Sequence, residues 1–194
     1  CNVHCRVGPH RPTVPSGPTQ PDAGILKERR MKLFCEWMVL AERVIDDSTT
    51  HNLTLVSCLE QIQTLFFPAQ HPGFAVAARF RCVDALPSRD RKVRFRLVRQ
   101  SDHEPDEELF KLDTTWTAGH ATTRLVTSFQ FLRLKRPETL RFRLDHQVGR
   151  AAWQEGATCY LDIVQKTLSD EERDTLMEEA RARGLPMPGL VADR

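Results

Sequence analysis

Apolar and polar residues alternate with a period of two along much of this chain. From residue 93 to 97 and again from 140 to 144, apolar side chains occupy every second position and arginines lie between them. The apolar faces of four such segments are Phe74, Val76, Ala78, Phe80 and Cys82; Val93, Phe95 and Leu97; Leu125, Thr127, Phe129 and Phe131; and Leu140, Phe142 and Leu144. This pattern is typical of antiparallel strands with one buried face and one wet face, and we expect Phe80, Phe95, Phe129 and Phe142 to point inward.

The remaining strand segments are less regular. Residues 31–45 are apolar on both faces, which predicts a central strand or one bent across two sheets. After a turn at 46–52, residues 52–59 are expected to return as a hairpin partner, and 61–66 to continue that partner. Residues 157–165 form the last predicted strand, with Cys159, Leu161 and Ile163 on one face and Tyr160, Asp162 and Val164 on the other. Eight or nine short strands separated by turns predict an all-β fold, a sandwich or a barrel.

One helix is predicted after the last strand. Ser169 followed by Glu172 forms a capping box, and acidic residues fill the first turn. Gly184 is a natural stop. The apolar stripe is thin, consisting of Leu176, Met177 and Ala180. We therefore expect the helix to dock weakly or to complete its burial against another chain.

Composition divides the chain into four parts. Residues 1–30 carry five prolines and few apolar residues, which predicts a disordered leader without a secretory signal. Strand-like sequence begins at Met31, and Lys27-Glu28 is readily encoded as a ribosome-binding sequence just upstream, so Met31 is the expected start of the native protein. The expected domains are a sandwich at 31–166, a helix at 167–184 and a disordered tail at 185–194.

Charge and hydropathy exclude several classes of partner. The chain has 28 basic and 26 acidic residues, but five of the basic and two of the acidic residues lie in 1–30, which leaves 23 against 24 in the rest. A nearly neutral domain gives no electrostatic reason to expect binding to nucleic acid or to an anionic membrane. The sequence has no apolar run long enough for a membrane-spanning helix. The cysteines after Met31 stand singly among apolar neighbours, as buried free thiols do.

Motifs for catalysis or metal binding are not found in the sequence. Cys1, His4, Cys5 and His10 match no standard zinc spacing. Five histidines are scattered, and nucleophile elbows, HExxH and glycine-rich phosphate loops are lacking. An acidic cluster at Glu36, Glu42, Asp46 and Asp47 would bind calcium only if Asp102, Asp106 or Asp145 converged on it. We therefore predict no catalytic, cofactor-binding or metal-binding residue and no cofactor.

Two sets of residues each allow two interpretations, one functional and one structural. Arginines at 79–81, 94–99 and 141–143 would form a basic sheet face for anionic ligands, or simply a solvated outer face. Trp37, Trp116 and Trp153 would line a sugar site, or anchor the core.

Several segments resemble a bacterial family of small cytoplasmic proteins of unknown function. The resemblance lies in 31–35, 41–46, 52–62 and 67–68, and in the later segment 136–144, and it runs from Met31 to about Gln165. It implies an immunoglobulin-like β-sandwich, a cytoplasmic location and no known catalytic residues. This chain has Pro137-Glu138 where members often have a glycine-containing turn.

Three classes of function fit this domain. We expect a non-enzymatic binding or accessory module that interacts with a protein partner, and such a module requires an exposed sheet edge or an apolar patch. A sandwich that binds carbohydrate or an anionic ligand requires a concave face with arginine and an aromatic residue. A hydrolytic enzyme requires a histidine and a carboxylate that converge in a pocket. The sequence leaves the partner, the strand order and the oligomeric state open.

Overall fold

The protein folds as two packed β-sheets followed by one helix. The computed structural model describes residues 3–4, 31–47, 49–50, 52–84 and 86–183. The elements in chain order are β1 (Val3–His4), β2 (Leu33–Asp46), β3 (Leu53–Cys58), β4 (Gln61–Thr64), β5 (Ala69–Cys82), β6 (Arg91–Ser101), β7 (Glu104–Trp116), β8 (Thr122–Leu134), β9 (Glu138–Val148), β10 (Gln154–Gln165) and α1 (Asp170–Ala182).

Each sheet has five strands, and nearly all neighbours are antiparallel. The first sheet has the order β1-β8-β5-β2-β3, and the second has the order β4-β10-β9-β6-β7. The exception is β4, which pairs in parallel with β10. The all-β sandwich predicted from the sequence is confirmed, with nine strands from β2 to β10 in addition to the two-residue β1.

The core lies between the sheets and follows the predicted alternation. Phe80, Phe95 and Phe142 are at most 1 % exposed. The rings of Phe80 and Phe95 lie 4.7 Å apart, and Phe129, which is only partly buried, stacks on Phe74 at the same distance. Aromatic side chains from both sheets therefore interdigitate across the interface, which fixes how the sheets stack.

Two expectations about strands were wrong. Residues 61–64 do not continue the β3 partner strand, because β4 leaves the first sheet and pairs with β10 in the second. Phe131 does not share the buried face of Leu125 and Thr127, since its side chain is 46 % exposed.

The change of face at Phe131 has a local cause. The pairing of β8 with β5 keeps its register from Phe129 to Leu132, but on β5 this stretch lies opposite Pro72 and Gly73. Gly73 has φ +36°, and a Cβ there would lie 2.7 Å from the carbonyl oxygen of Phe129. The kinked pair turns Phe131 outward and brings Leu132 into the core.

The helix has the predicted N-terminal cap. The Ser169 side chain accepts a hydrogen bond from the backbone N–H of Glu172, whose own carboxylate accepts from the Ser169 backbone N–H. Leu176 is 42 % exposed. Among the described residues, no strand packs extensively against the helix. The predicted stop at Gly184, the tail at 185–194 and, apart from Val3–His4, the leader lie outside the described residues.

Candidate functional site

The outer side of β8 is the candidate site of this sandwich. On its inner side β8 pairs with β5 along almost its whole length, from Thr122 opposite Arg81 to Leu134 opposite Ala69. On its outer side, within the described residues, the only pairing is that of Val3 with Thr127 and of His4 with Val126. For most of its 13 residues, β8 therefore has no strand paired on that side among the described parts of the chain.

The other three edges are less suited to further pairing. β4 has only four residues, and β3 has six. Near its end β3 carries Ser57 in the left-handed region, with φ 51°. β7 is as long as β8, but it begins with Glu104, contains Pro105 and carries three further acidic residues before position 109. Short length, proline and charge are the devices by which natural proteins protect sheet edges from pairing.

β8 carries few of these protective features. It contains no proline, and Arg124 and Arg133 are its only charged residues. Six of its other residues are threonine, valine or phenylalanine, which favour extended structure. Phe131 is exposed near one end of the strand, where the Arg133 guanidinium lies 5.8 Å from its ring centre. The edge therefore combines strong strand propensity with an exposed aromatic side chain.

The inward face of β8 lies beside β7 of the opposite sheet. The rings of Phe129 and Phe110 are 6.3 Å apart, which places the two edge strands on the same side of the sandwich. Leu112 of β7 is partly buried and packs against the same core. A strand added beyond β8 would therefore place alternate side chains over apolar residues of both sheets.

Thr127 stands at the centre of this edge. Its side chain points inward with those of Leu125 and Phe129 and is 1 % exposed. The hydroxyl oxygen is buried and has no hydrogen-bond partner. Val76, its neighbour across β5, is apolar and fully buried. A polar group is thus left unpaired at the position where the short β1 strand pairs with the edge.

The predicted basic face is divided between the two sheets. Arg79 and Arg81 belong to the first sheet, and each donates to a carboxylate oxygen of Glu36 at 2.9 Å. Arg94, Arg96, Arg141 and Arg143 lie on the outer face of the second sheet. There, Arg96 and Arg143 donate to Asp145, a carboxylate that is 3 % exposed, at 2.9 and 3.0 Å. These arginines are largely neutralised by acidic partners within the sheet.

The three tryptophans are dispersed. Trp116 is buried and donates its indole N–H to the carbonyl oxygen of His120 at 2.9 Å, as a core anchor does. Trp37 lies on the first sheet opposite Arg79. Trp153 lies near the second sheet, where Arg96, Lys111 and Arg94 approach its ring centre to 4.5, 5.8 and 6.0 Å. The cations around Trp153 make a mixed aromatic and basic cluster rather than a shared sugar platform.

The acidic residues considered for calcium binding accept hydrogen bonds from neighbouring groups instead. Asp47 accepts hydrogen bonds from the backbone N–H groups of Thr49 and Thr50 and so caps its own turn. Asp106 accepts from Gln100, and Asp145 is held by the two arginines. In the parts of the chain that the structure describes, no group of three or more histidine, cysteine or carboxylate side chains is arranged to hold a metal ion.

Of the described histidines and cysteines, only Cys82 lines one of the two open grooves. His146 is buried in the core beside the ring of Phe80, and burial lowers the pKa of its imidazole. Burial raises the pKa of the Cys35 thiol to about 11 and also raises that of Cys159, which makes both weak nucleophiles at neutral pH. One shallow groove of about 350 Å³ is lined by Lys32, Leu33, Phe34, Arg81, Cys82 and Val83. A second, of about 560 Å³, is lined by Arg99, Glu104, Pro105, Asp106, Glu107, Glu108 and Lys135.

Comparison with known proteins places this β-sandwich in a family. A family of unknown function, DUF6941, matches residues 36–147, and the chain belongs to this family. No curated protein matches the chain. Among solved structures, it is similar to a superoxide reductase (neelaredoxin) from Ignicoccus hospitalis, with 11 % identity over 66 % of this chain and 83 % of that chain and a TM-score of 0.31. None of the helices among the described residues is long and apolar enough to cross a membrane.

Sequence reasoning did not identify the β8 edge as a site. The composition of residues 122–134 was visible, including the near absence of charge and the lack of proline. Whether a strand lies at an edge depends on the strand order, and consecutive strands in this chain often lie in different sheets. The composition of this strand could therefore be read from the sequence, but its position at an edge of the sheet could not.

Proposed function

We propose that this protein is a non-enzymatic binding module that takes up an extended peptide segment of a protein partner by strand addition at the β8 edge. The observation that carries this proposal is the pairing of Val3 and His4 with Thr127 and Val126, because a short extended segment already occupies part of the edge. Strand addition draws its affinity from main-chain hydrogen bonds and its specificity from alternate side chains.

The surroundings of β8 support the same proposal. Three other edges are short, kinked or rich in acidic residues, whereas β8 is long and nearly uncharged. Neither described groove has a histidine in its lining, which favours a binding role over acid–base catalysis. The free thiols at Cys35, Cys58, Cys82 and Cys159 suit a reducing compartment. This supports our proposal of a cytoplasmic location.

A labelled peptide tests the proposal directly. The probe copies residues 1–7 with Cys1→Ser and Cys5→Ser, and the protein is the full chain carrying Val3→Pro and His4→Pro. Proline cannot donate a backbone hydrogen bond, so these changes free the edge of its own short strand. We expect the probe to bind this variant more tightly than the unmodified chain, as measured by fluorescence anisotropy, because in the unmodified chain Val3 and His4 compete for the edge.

Two further measurements identify the mode of binding. Methylating alternate backbone nitrogens on one side of the probe should abolish binding, and methylating those on the other side should leave it intact, because a strand pairs through one side only. Hydrogen exchange of β8 amides should slow when the probe is present, while exchange at the opposite edge strand β3 should not change. Equal tolerance of both methylated probes, or protection of β3 instead of β8, contradicts strand addition at this edge.

A further inference from the structure

The unpaired hydroxyl of Thr127 gives the β8 edge a chemical preference. This oxygen is buried within a side chain that is 1 % exposed, and it has no hydrogen-bond partner. Buried polar groups in native proteins are nearly always paired, because an unpaired one keeps the full cost of losing its water. A valine would fill nearly the same space here without that cost.

The described neighbours of Thr127 on β5 and β8 offer its hydroxyl no hydrogen-bond partner. Across β5 its neighbour is Val76, and along β8 its neighbours on the same face are Leu125 and Phe129. None of these side chains has an atom that can donate or accept a hydrogen bond. The remaining neighbour within the first sheet is the residue on the strand beyond β8, which in the register of β1 is Val3. This position suits a partner for the hydroxyl, but valine has no side-chain atom that can form a hydrogen bond.

We infer that the natural peptide carries a hydroxyl or amide side chain, such as threonine, serine or asparagine, at the position opposite Thr127. This inference rests on the proposed strand addition. Residues directly opposite in an antiparallel pair share one face with their Cβ atoms about 4.5–5.5 Å apart, close enough for a threonine–threonine hydrogen bond. Two positions to either side, the peptide faces Leu125 and Phe129, so those side chains are apolar. The recognised class is an extended segment of the pattern apolar, any, hydroxyl or amide, any, apolar.

A matched pair of peptides tests this preference. Both copy residues 1–7 with valine in place of Cys1 and Cys5, and they differ only at the third residue, which is valine in one and threonine in the other. These two side chains have nearly the same shape. Against the full chain carrying Val3→Pro and His4→Pro, we expect the threonine peptide to bind about three- to tenfold more tightly, as one added hydrogen bond allows.

Substitutions of Thr127 show whether its hydroxyl is the cause. In the same background, Thr127→Val should abolish or reverse the preference, and Thr127→Ser should retain it, with circular dichroism showing that each variant is folded. Equal binding of the two peptides to the protein with Thr127, or an unchanged preference in Thr127→Val, overturns the inference while strand addition itself stands. If neither peptide binds, strand addition fails and the inference fails with it.

Discussion

At the scale of single residues, burial decides which aromatic side chains hold the sandwich together. Phe142 is fully buried and lies 5.5 Å from the ring of Phe74 in the other sheet. Phe131 has a side chain of the same size but is 46 % exposed. How much a phenylalanine contributes to the stability of this fold therefore depends on where it lies relative to the second sheet.

Phe142→Ala should lower the free energy of unfolding by about 3–5 kcal/mol, because it removes apolar contacts and leaves a cavity between the sheets. The matched control Phe131→Ala should change it by about 0.5 kcal/mol or less, as is usual for surface substitutions. Chemical denaturation of both variants measures the two values. A midpoint for Phe142→Ala equal to that of Phe131→Ala would show that the sheets do not pack through this ring.

Side-chain alternation predicted the residues of the core well, for a physical reason. Where the two sheets overlap, the inner face of each strand is covered by the other sheet. The predicted inward residues there are at most 3 % exposed: Val93, Phe95, Leu140, Phe142 and Leu144. The prediction was wrong for Phe131, where the kink at Gly73 changes the face of the pair. Gly73 lies on β5, almost sixty residues before Phe131 on β8, so the sequence around Phe131 does not indicate the kink.

At the scale of elements, the order of the strands could not be predicted from the sequence. Residues 61–64 follow β3 after two residues, yet they pair in parallel with β10, about a hundred residues later. Such pairings are selected by long-range packing, whereas turns and alternation are local signals. The candidate site depends on the same information, since β8 matters because it lies at an edge.

The helix, by contrast, was predictable because its signals are local. The capping box at Ser169 and Glu172 formed as expected, and an ion pair of Glu172 with Lys166 at 2.9 Å lowers the pKa of this carboxyl. Its apolar residues remain poorly covered, with Leu176 42 % exposed.

Deleting residues 167–194 should leave the denaturation midpoint of the sandwich nearly unchanged, because no strand packs extensively against the helix among the described residues. Urea denaturation followed by tryptophan fluorescence measures this, because Trp37, Trp116 and Trp153 all precede the deletion. A large drop in the midpoint would mean that the helix covers part of the core. In that case the helix would no longer be available for an interaction with another chain.

At the scale of the whole molecule, charge is balanced locally rather than collected into one field. Glu36 holds two arginines of the first sheet, Asp145 holds two of the second, and Arg99 donates to Glu104 and Glu107 near the end of β6. Such a surface gives little long-range attraction for a polyanion. It is compatible with recognition through main-chain hydrogen bonds, which depends little on net charge.

The buried histidine links the stability of the whole fold to pH. His146 is 3 % exposed, and burial lowers the pKa of its imidazole below the ordinary value of 6.5, although Gln154 and the nearby carboxylate of Asp145 act in the opposite direction. Below about pH 6.5 the unfolded chain takes up a proton at this site while the folded chain resists it. The stability that the neutral imidazole contributes is therefore present above pH 6.5 and is lost progressively as the pH falls further.

Replacing this residue should remove that part of the pH dependence. We expect the free energy of unfolding of His146→Gln to fall less between pH 7 and pH 5 than that of the unmodified chain, whereas the control His103→Gln, at an exposed position, should follow the unmodified chain. Urea denaturation at pH 5, 6 and 7 supplies the three curves. If the His146→Gln curve instead runs parallel to the unmodified one, the loss of stability at acid pH does not come from His146.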